Sequence, residues 1–177
     1  MGAYYPSRRR DAQGPMNPLD AWVTIPRKLR RAVSGLPARQ LALRGGSEGW
    51  TVRQYAHHLV EANLVASTII VAAVGKPGCR FDWSWLYPDE GWMKRMGYDA
   101  APLEPALDLV EALCAHVAGV VRNAPGAMSR RVRLQGTAAR PLRRTVRQIL
   151  EEECEHARHH LRDISKVLRT ARSGPRR

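Results

Sequence analysis

Apolar positions recur at helical spacing in four stretches of the chain. The first begins at "NPLD" and carries Trp22, Ile25, Leu29 and Val33 on one face, the i, i+3, i+4, i+7 signature of an amphipathic helix. Asn17 can cap it, Pro18 suits the first helical position, and Asp20 complements the positive helix end. "SGLP" closes it, and Pro26 inside the run predicts a kink or a fresh start. The second stretch runs from Thr51 to about Val74 and stops at "GKPG". The third runs from about Glu104 to Asn123, with Leu107, Val110, Cys114, Val117 and Val121 in one stripe and "APG" after it. The fourth runs from Thr145 to about Leu168.

The second and fourth stretches open on the same four letters, "TVRQ", at Thr51 and Thr145. In T-x-x-Q the threonine hydroxyl accepts from the third backbone N–H, and the glutamine reaches back to the cap's own N–H. Similarity ends with the fourth letter, "YAHH" against "ILEE". The recurrence therefore marks two helix starts and not a duplicated unit. Between the second and third helices lies a Gly- and Pro-rich connection, 75–102, holding three of the five tryptophans in "FDWSWLYPDEGW". A connection that long is uncommon in a compact domain and is often functional. "RRVRLQG" alternates weakly, which allows a short extended piece. The expected fold is all-α: a four-helix bundle over 17–168 with a long crossover between helices 2 and 3, flanked by basic tails at 1–16 and 169–177.

The fraction of apolar residues, 44% over 177 residues, fits one folded domain and not a disordered chain. The net charge of +13 suggests nucleic acid, but its distribution does not. The segment up to Pro15 carries +2, the segment from Lys166 carries +5, and the body carries +6. Phosphate contact needs clustering as well as charge. Only "RRVRLQGTAARPLRR" offers it internally, so the arginines read as a solvated surface and no specific nucleic acid is expected. Cys79, Cys114 and Cys154 are widely spaced and give no disulfide framework, which favours a cytoplasmic location. The first twenty residues lack a signal-peptide pattern, and "ANLVASTIIVAAV" is short for a bilayer span, so no membrane is expected.

The paired histidines carry the chemistry. With each capping threonine set at zero and about 100° per residue, the apolar stripe of the fourth helix centres at about 110°. On that scale His160 falls at about 60°, Glu153 at about 80° and His156 at about 20°, while His159 falls at about −40° and faces water. In the second helix the stripe centres at about 80°, with His58 at about −20° on its edge and His57 at about −120° on the far side. Each "HH" thus splits into one inward and one outward ring. Histidines at i and i+4 converge on one point, and a third from a facing helix completes a three-nitrogen face for a divalent metal. Glu153, one turn before His156, can ligate, act as a base or orient a ring. The competing reading is ordinary histidines hydrogen-bonded to carbonyls. His116 lies off the third helix's stripe and reads as surface, and Cys154 reads as packed.

"GWTVRQYAHHL" followed by "EHARHHLRDI" resembles the DinB-like, or YfiT-like, superfamily of bacterial metal-binding four-helix bundles. Trp50, Thr51, His58, Leu59, His156, His160, Leu161 and Ile164 match its pattern, and the resemblance covers about residues 17–168. It implies a homodimer in which His58, His156 and His160 bind zinc or nickel, with iron or manganese as alternatives. It also implies transfer chemistry that uses a low-molecular-weight thiol as co-substrate, because members include bacillithiol transferases and mycothiol-dependent isomerases. Three functions stay open: a metal-dependent thiol transferase or hydrolase acting on a small thiol or electrophile, a non-catalytic metal-stabilised dimer or sensor, and a basic nucleic-acid-binding bundle. In the first, Arg53, Trp83 and Trp85 would rim the pocket.

Overall fold

A computed structural model describes residues 16–86, 88–136 and 140–173. Most of the two expected tails, Tyr87, and the middle of the basic run at 137–139 lie outside the described residues. The first bundle helix is two pieces, α1 (Pro18–Trp22) and α2 (Ile25–Val33). Asn17 caps α1 by accepting from the Leu19 N–H at 3.0 Å. Pro26 sits in the first turn of α2, where its missing N–H costs little, and the Thr24 hydroxyl donates to the Ala21 carbonyl across the break at 2.6 Å. A single turn, α3 (Ala38–Leu41), precedes the second bundle helix, α4 (Val52–Gly75). The third is α6 (Leu103–Asn123) and the fourth is α7 (Val146–Ser173), which continues past the expected end at Leu168.

Both "TVRQ" segments are capping boxes. Gln54 N–H donates to the Thr51 hydroxyl at 3.0 Å, and Thr51 N–H donates to Gln54 Oε1 at 2.8 Å. Gln148 N–H and Thr145 N–H make the same exchange at 3.2 and 2.9 Å. The bundle helices do not follow one another around a square. α4 packs chiefly on α6 and α7, and the α1–α2 unit packs on the same two helices, so the first and second helices face each other across the diagonal. Trp22, Leu29, Tyr55, Leu59, Ile70, Leu107 and Leu150 are fully buried between them. Each such side chain contributes about 1.5–3 kcal/mol of burial.

The all-α expectation needs one addition, a three-stranded sheet in the order β1 (Arg80–Asp82), β2 (Arg131–Gln135), β3 (Leu142–Thr145). β1 pairs with β2 in parallel, Phe81 opposite Leu134, and β2 pairs with β3 antiparallel, Arg133 opposite Arg143. The weak alternation in "RRVRLQG" is this middle strand: Val132 and Leu134 are buried, and Arg131 and Arg133 are exposed. The connection 75–102 is therefore not structureless. It supplies β1 and a short helix, α5 (Glu90–Arg95), capped by Asp89 Oδ1 accepting from the Trp92 N–H at 2.6 Å.

That connection also explains where the angular reading fails. His57 was expected on the solvent side of its helix, yet it is buried. Its ring stacks on Tyr98 with centroids 4.7 Å apart and planes 10° from parallel, and its Nε2 lies 3.3 Å from the Ala101 carbonyl. Residues after α5 fold back over the outer face of α4, and Arg53 anchors them by donating to Ala101 O at 2.8 Å. Burial holds the His57 imidazole below its usual range, opposed by the Ala101 carbonyl. A helix covered on both sides has no solvent face for a single stripe to define. α4 is also long and apolar enough, by length and composition, to cross a membrane, which the apolar stretch taken alone understated. In this fold its apolar side chains are largely buried inside the protein.

Candidate metal centre

α4 contributes His58, and α7 contributes His156 and His160 one turn apart. One nitrogen from each lies within 4.8 Å of the other two. The Nε2 atoms of His58 and His156 are 3.0 Å apart, and the ring centroids are 5.0, 5.1 and 4.7 Å apart around the triangle. Trp50 and Tyr55 wall the group: Trp50 packs on His58 and His160, and Tyr55 on His160. Burial, then His156, His58 and His159 in that order, push the His160 imidazole down to about 3. That ring is therefore neutral at physiological pH, the form in which histidine binds metal.

Each ring turns its Nδ1 toward a carboxylate. His58 Nδ1 is 3.9 Å from Glu61 Oε2, His156 Nδ1 is 3.4 Å from Glu153 Oε1, and His160 Nδ1 is 3.6 Å from Asp163 Oδ2. An Nδ1–H directed at a carboxylate leaves the Nε2 lone pair free for a metal and fixes the ring's orientation. The contacts are longer than good hydrogen bonds. Consistent with this, His58 Nδ1, His160 Nδ1 and Glu61 Oε2 are buried with no partner at hydrogen-bonding distance. Buried orphans are costly, and rings pressed back onto their carboxylates would relieve them. A tetrahedral ion with bonds of about 2.0–2.1 Å holds its ligand nitrogens about 3.3 Å apart, close to the spacing of the His58–His156 pair. The donor set fits a divalent metal with open positions.

The carboxylates are themselves held. Glu61 Oε1 accepts from Trp92 Nε1 at 3.0 Å and from the Tyr98 hydroxyl at 3.1 Å, which ties α5 to the site. Asp163 Oδ2 accepts from the Ser47 hydroxyl at 2.8 Å. Glu153 Oε1 lies 3.4 Å from the Asn63 amide nitrogen. Ser47 comes from the loop before α4, where Gly46 has φ +77° and a Cβ would stand 2.5 Å from the Tyr55 hydroxyl. Only glycine lets that loop approach so closely.

Glu61, Asp163 and Ser47 escaped the sequence reading. A signal for the first two is present, because "HLVE" at His58 and "HLRD" at His160 share one pattern, histidine followed three residues later by an acid. His159, expected to face water, is half exposed and bonds Ser47 Oγ through Nε2 at 3.0 Å. It also belongs to a second cluster with His160 and Asp163, but that cluster shares His160 with the first. His116 is exposed, as expected. Cys154 is partly buried; burial first pushes its thiol up to about 11, and burial pushes that of Cys114 up to about 12.

A cavity of about 350 Å³ opens beside His58 and His156, and Trp83 and Glu153 line it. Of the other residues expected at its rim, Trp85 is exposed and stands 6.1 Å from Trp92, and Arg53 is turned to Ala101. A larger groove of about 740 Å³ runs along α7 beside α1 and α2. None of the three histidines lines it.

Comparison with known proteins agrees with the geometry. A family model described as the DinB superfamily matches residues 21–164. The chain is 33% identical over 115 residues to a candidate metal-dependent hydrolase of Geobacillus kaustophilus, covering 64% of this chain and 63% of that protein. It is 25% identical over 156 residues to another from Oceanobacillus iheyensis, covering 85% and 86%. The match thus spans less than two thirds of the Geobacillus relative's length. Among solved structures, YfiT from Bacillus subtilis, described as a candidate metal-dependent hydrolase with an unusual four-helix bundle topology, superposes with a TM-score of 0.76 at 20% identity, covering 97% of this chain and 95% of that one.

Proposed function

The chain belongs to the DinB superfamily, and from that premise we propose that it is a metal-dependent hydrolase whose reaction takes place in the cavity beside His58 and His156. The observation that carries this is the convergence of three imidazoles from α4 and α7, each backed by its own carboxylate. The names of its relatives point the same way. His58, His156 and His160 would hold a divalent ion, zinc or nickel by ligand type. When bound, such an ion would polarise a carbonyl and bring the pKa of a bound water down toward neutrality.

The protein residues do the positioning. Glu61 and Asp163 fix the tautomers of His58 and His160. Glu153 fixes His156 and also lines the cavity, so it is the group placed to take up the proton released by an attacking nucleophile. Cys114 and Cys154 stay protonated at neutral pH, so neither supplies a thiolate. A small-molecule thiol entering in place of water would give the transferase variant of the same chemistry.

The test is elemental analysis of tag-free protein, followed by a screen of small esters and amides with and without added thiols, using His156→Ala as the control. Stoichiometric metal and turnover that the variant lacks are expected. Wild-type protein that holds metal and turns over nothing in the presence of thiol or water would leave a structural metal and overturn the hydrolase reading.

A further inference from the structure

The cavity beside the histidines is lined mostly by apolar side chains. Ala62, Val65 and Ile69 of α4, Ile149 of α7, Leu134 of β2 and the Trp83 indole form its walls. Trp83 is held at the edge of the sheet: its N–H donates to the Gln135 carbonyl at 2.9 Å, and its ring lies 3.3 Å from where a Cβ on Gly136 would stand. In a protein of net charge +13, no lysine or arginine lines this cavity among the described residues; the charged side chains are Glu152 and Glu153. Glu152 is paired with Arg144 at 2.6 Å, and among the described residues Glu153 is not paired with a lysine or arginine. Glu61 and Asp163 stand behind the adjoining rings. Three carboxylates outweigh the two charges of a divalent ion, so the site is formally negative even when loaded, and low-dielectric walls strengthen that field.

We infer that this cavity seats the apolar part of an uncharged or cationic substrate and rejects anionic ones. Its volume of about 350 Å³ is a little over twice the roughly 150 Å³ that holds a benzene ring, and lies at the small end of ligand pockets. The seated group is therefore a bicyclic ring or a branched alkyl group of similar bulk. The inference rests on the metal-dependent reading of the same site, but its test does not depend on turnover.

Zinc-loaded protein is titrated by calorimetry at low salt with indole, tryptamine and indole-3-acetate, three probes of one ring and different charge. Indole and tryptamine should bind, and indole-3-acetate should bind at least tenfold more weakly than indole. Ala66 of α4 also lines the cavity, and Ala66→Phe, which fills it, should weaken indole at least tenfold at unchanged zinc content. If that variant loses its helical spectrum, Leu134→Trp fills the same space from the sheet and reads the same outcome. Equal or tighter binding of indole-3-acetate, or indole binding unaffected by the filling variant, overturns the inference. Indole binding by a protein that hydrolyses nothing overturns the proposed reaction and leaves the subsite standing. Hydrolysis that indole does not inhibit does the reverse.

Discussion

Replacing Glu61 separates what its two oxygens do. Oε1 accepts from the buried Tyr98 hydroxyl and the half-buried Trp92 indole, and Oε2 faces His58 Nδ1. Glu61→Ala strips both donors of their acceptor. A buried orphan costs about 1–3 kcal/mol, and less where water can reach it, so the pair should cost about 2–4 kcal/mol. Glu61→Gln keeps an oxygen for those donors, and its stability should stay within about 1 kcal/mol of wild type. The same orientation turns the glutamine NH₂ toward His58 Nδ1. That nitrogen must then accept, its proton moves to Nε2, and the lone pair needed for a metal is lost. Loss of such a partner weakens metal affinity about 10–100-fold. Urea unfolding of chelated protein reads the first effect, and zinc competition against a chromophoric chelator reads the second. Wild-type zinc affinity in Glu61→Gln would show that the carboxylate does not set the tautomer of His58, and the reasoning would fail.

The histidines should divide by position. His58→Ala, His156→Ala and His160→Ala should each strip metal, His159→Ala should keep it, and His57→Ala should keep metal but lose stability because its ring packs on Tyr98. Metal at a hundredfold excess over Kd adds about 2.7 kcal/mol, so chelation should lower the melting temperature by roughly 5–10 °C in wild type and hardly at all in His58→Ala. A chelator response equal in both proteins refutes the site. In metal-free protein, His160 is held at about 3 while the unfolded chain protonates it near 6.5. The unfolded state then binds the extra proton, so stability is full above about pH 6.5 and falls as pH drops toward 3, by at most about 1.4 kcal/mol per pH unit. His160→Gln should flatten that slope in urea midpoints measured from pH 7 to 5, and an unchanged slope counts against it.

The helices were legible because their signals are local. Both threonine–glutamine boxes, Asn17 before Pro18 and the stripe through Leu107 and Val117 are decided within a turn or two of chain. The inward placement of His58, His156 and His160 follows from the same register. His57 was misplaced because its neighbours, Tyr98 and Ala101, arrive from a connection whose path no periodicity encodes. The sheet was half visible: β2 alternates, but β1 is three residues long and pairs with a strand some fifty residues away. Glu61 and Asp163 were readable in "HLVE" and "HLRD" only once each acid was considered as a partner for the ring three residues before it.

The parallel pairing of β1 with β2 joins two distant inter-helix connections into one plate. Trp83 hangs from its edge and Leu134 from its middle, while His58, His156 and His160 sit on α4 and α7. The ceiling over the cavity and the floor that would grip the ion are thus written in different stretches of chain. Substitutions in the plate can reshape what enters and leave the histidine register untouched, whereas a one-residue slip in α7 would dismantle the floor and spare the ceiling. A scaffold divided in this way can change clientele many times while keeping one chemistry.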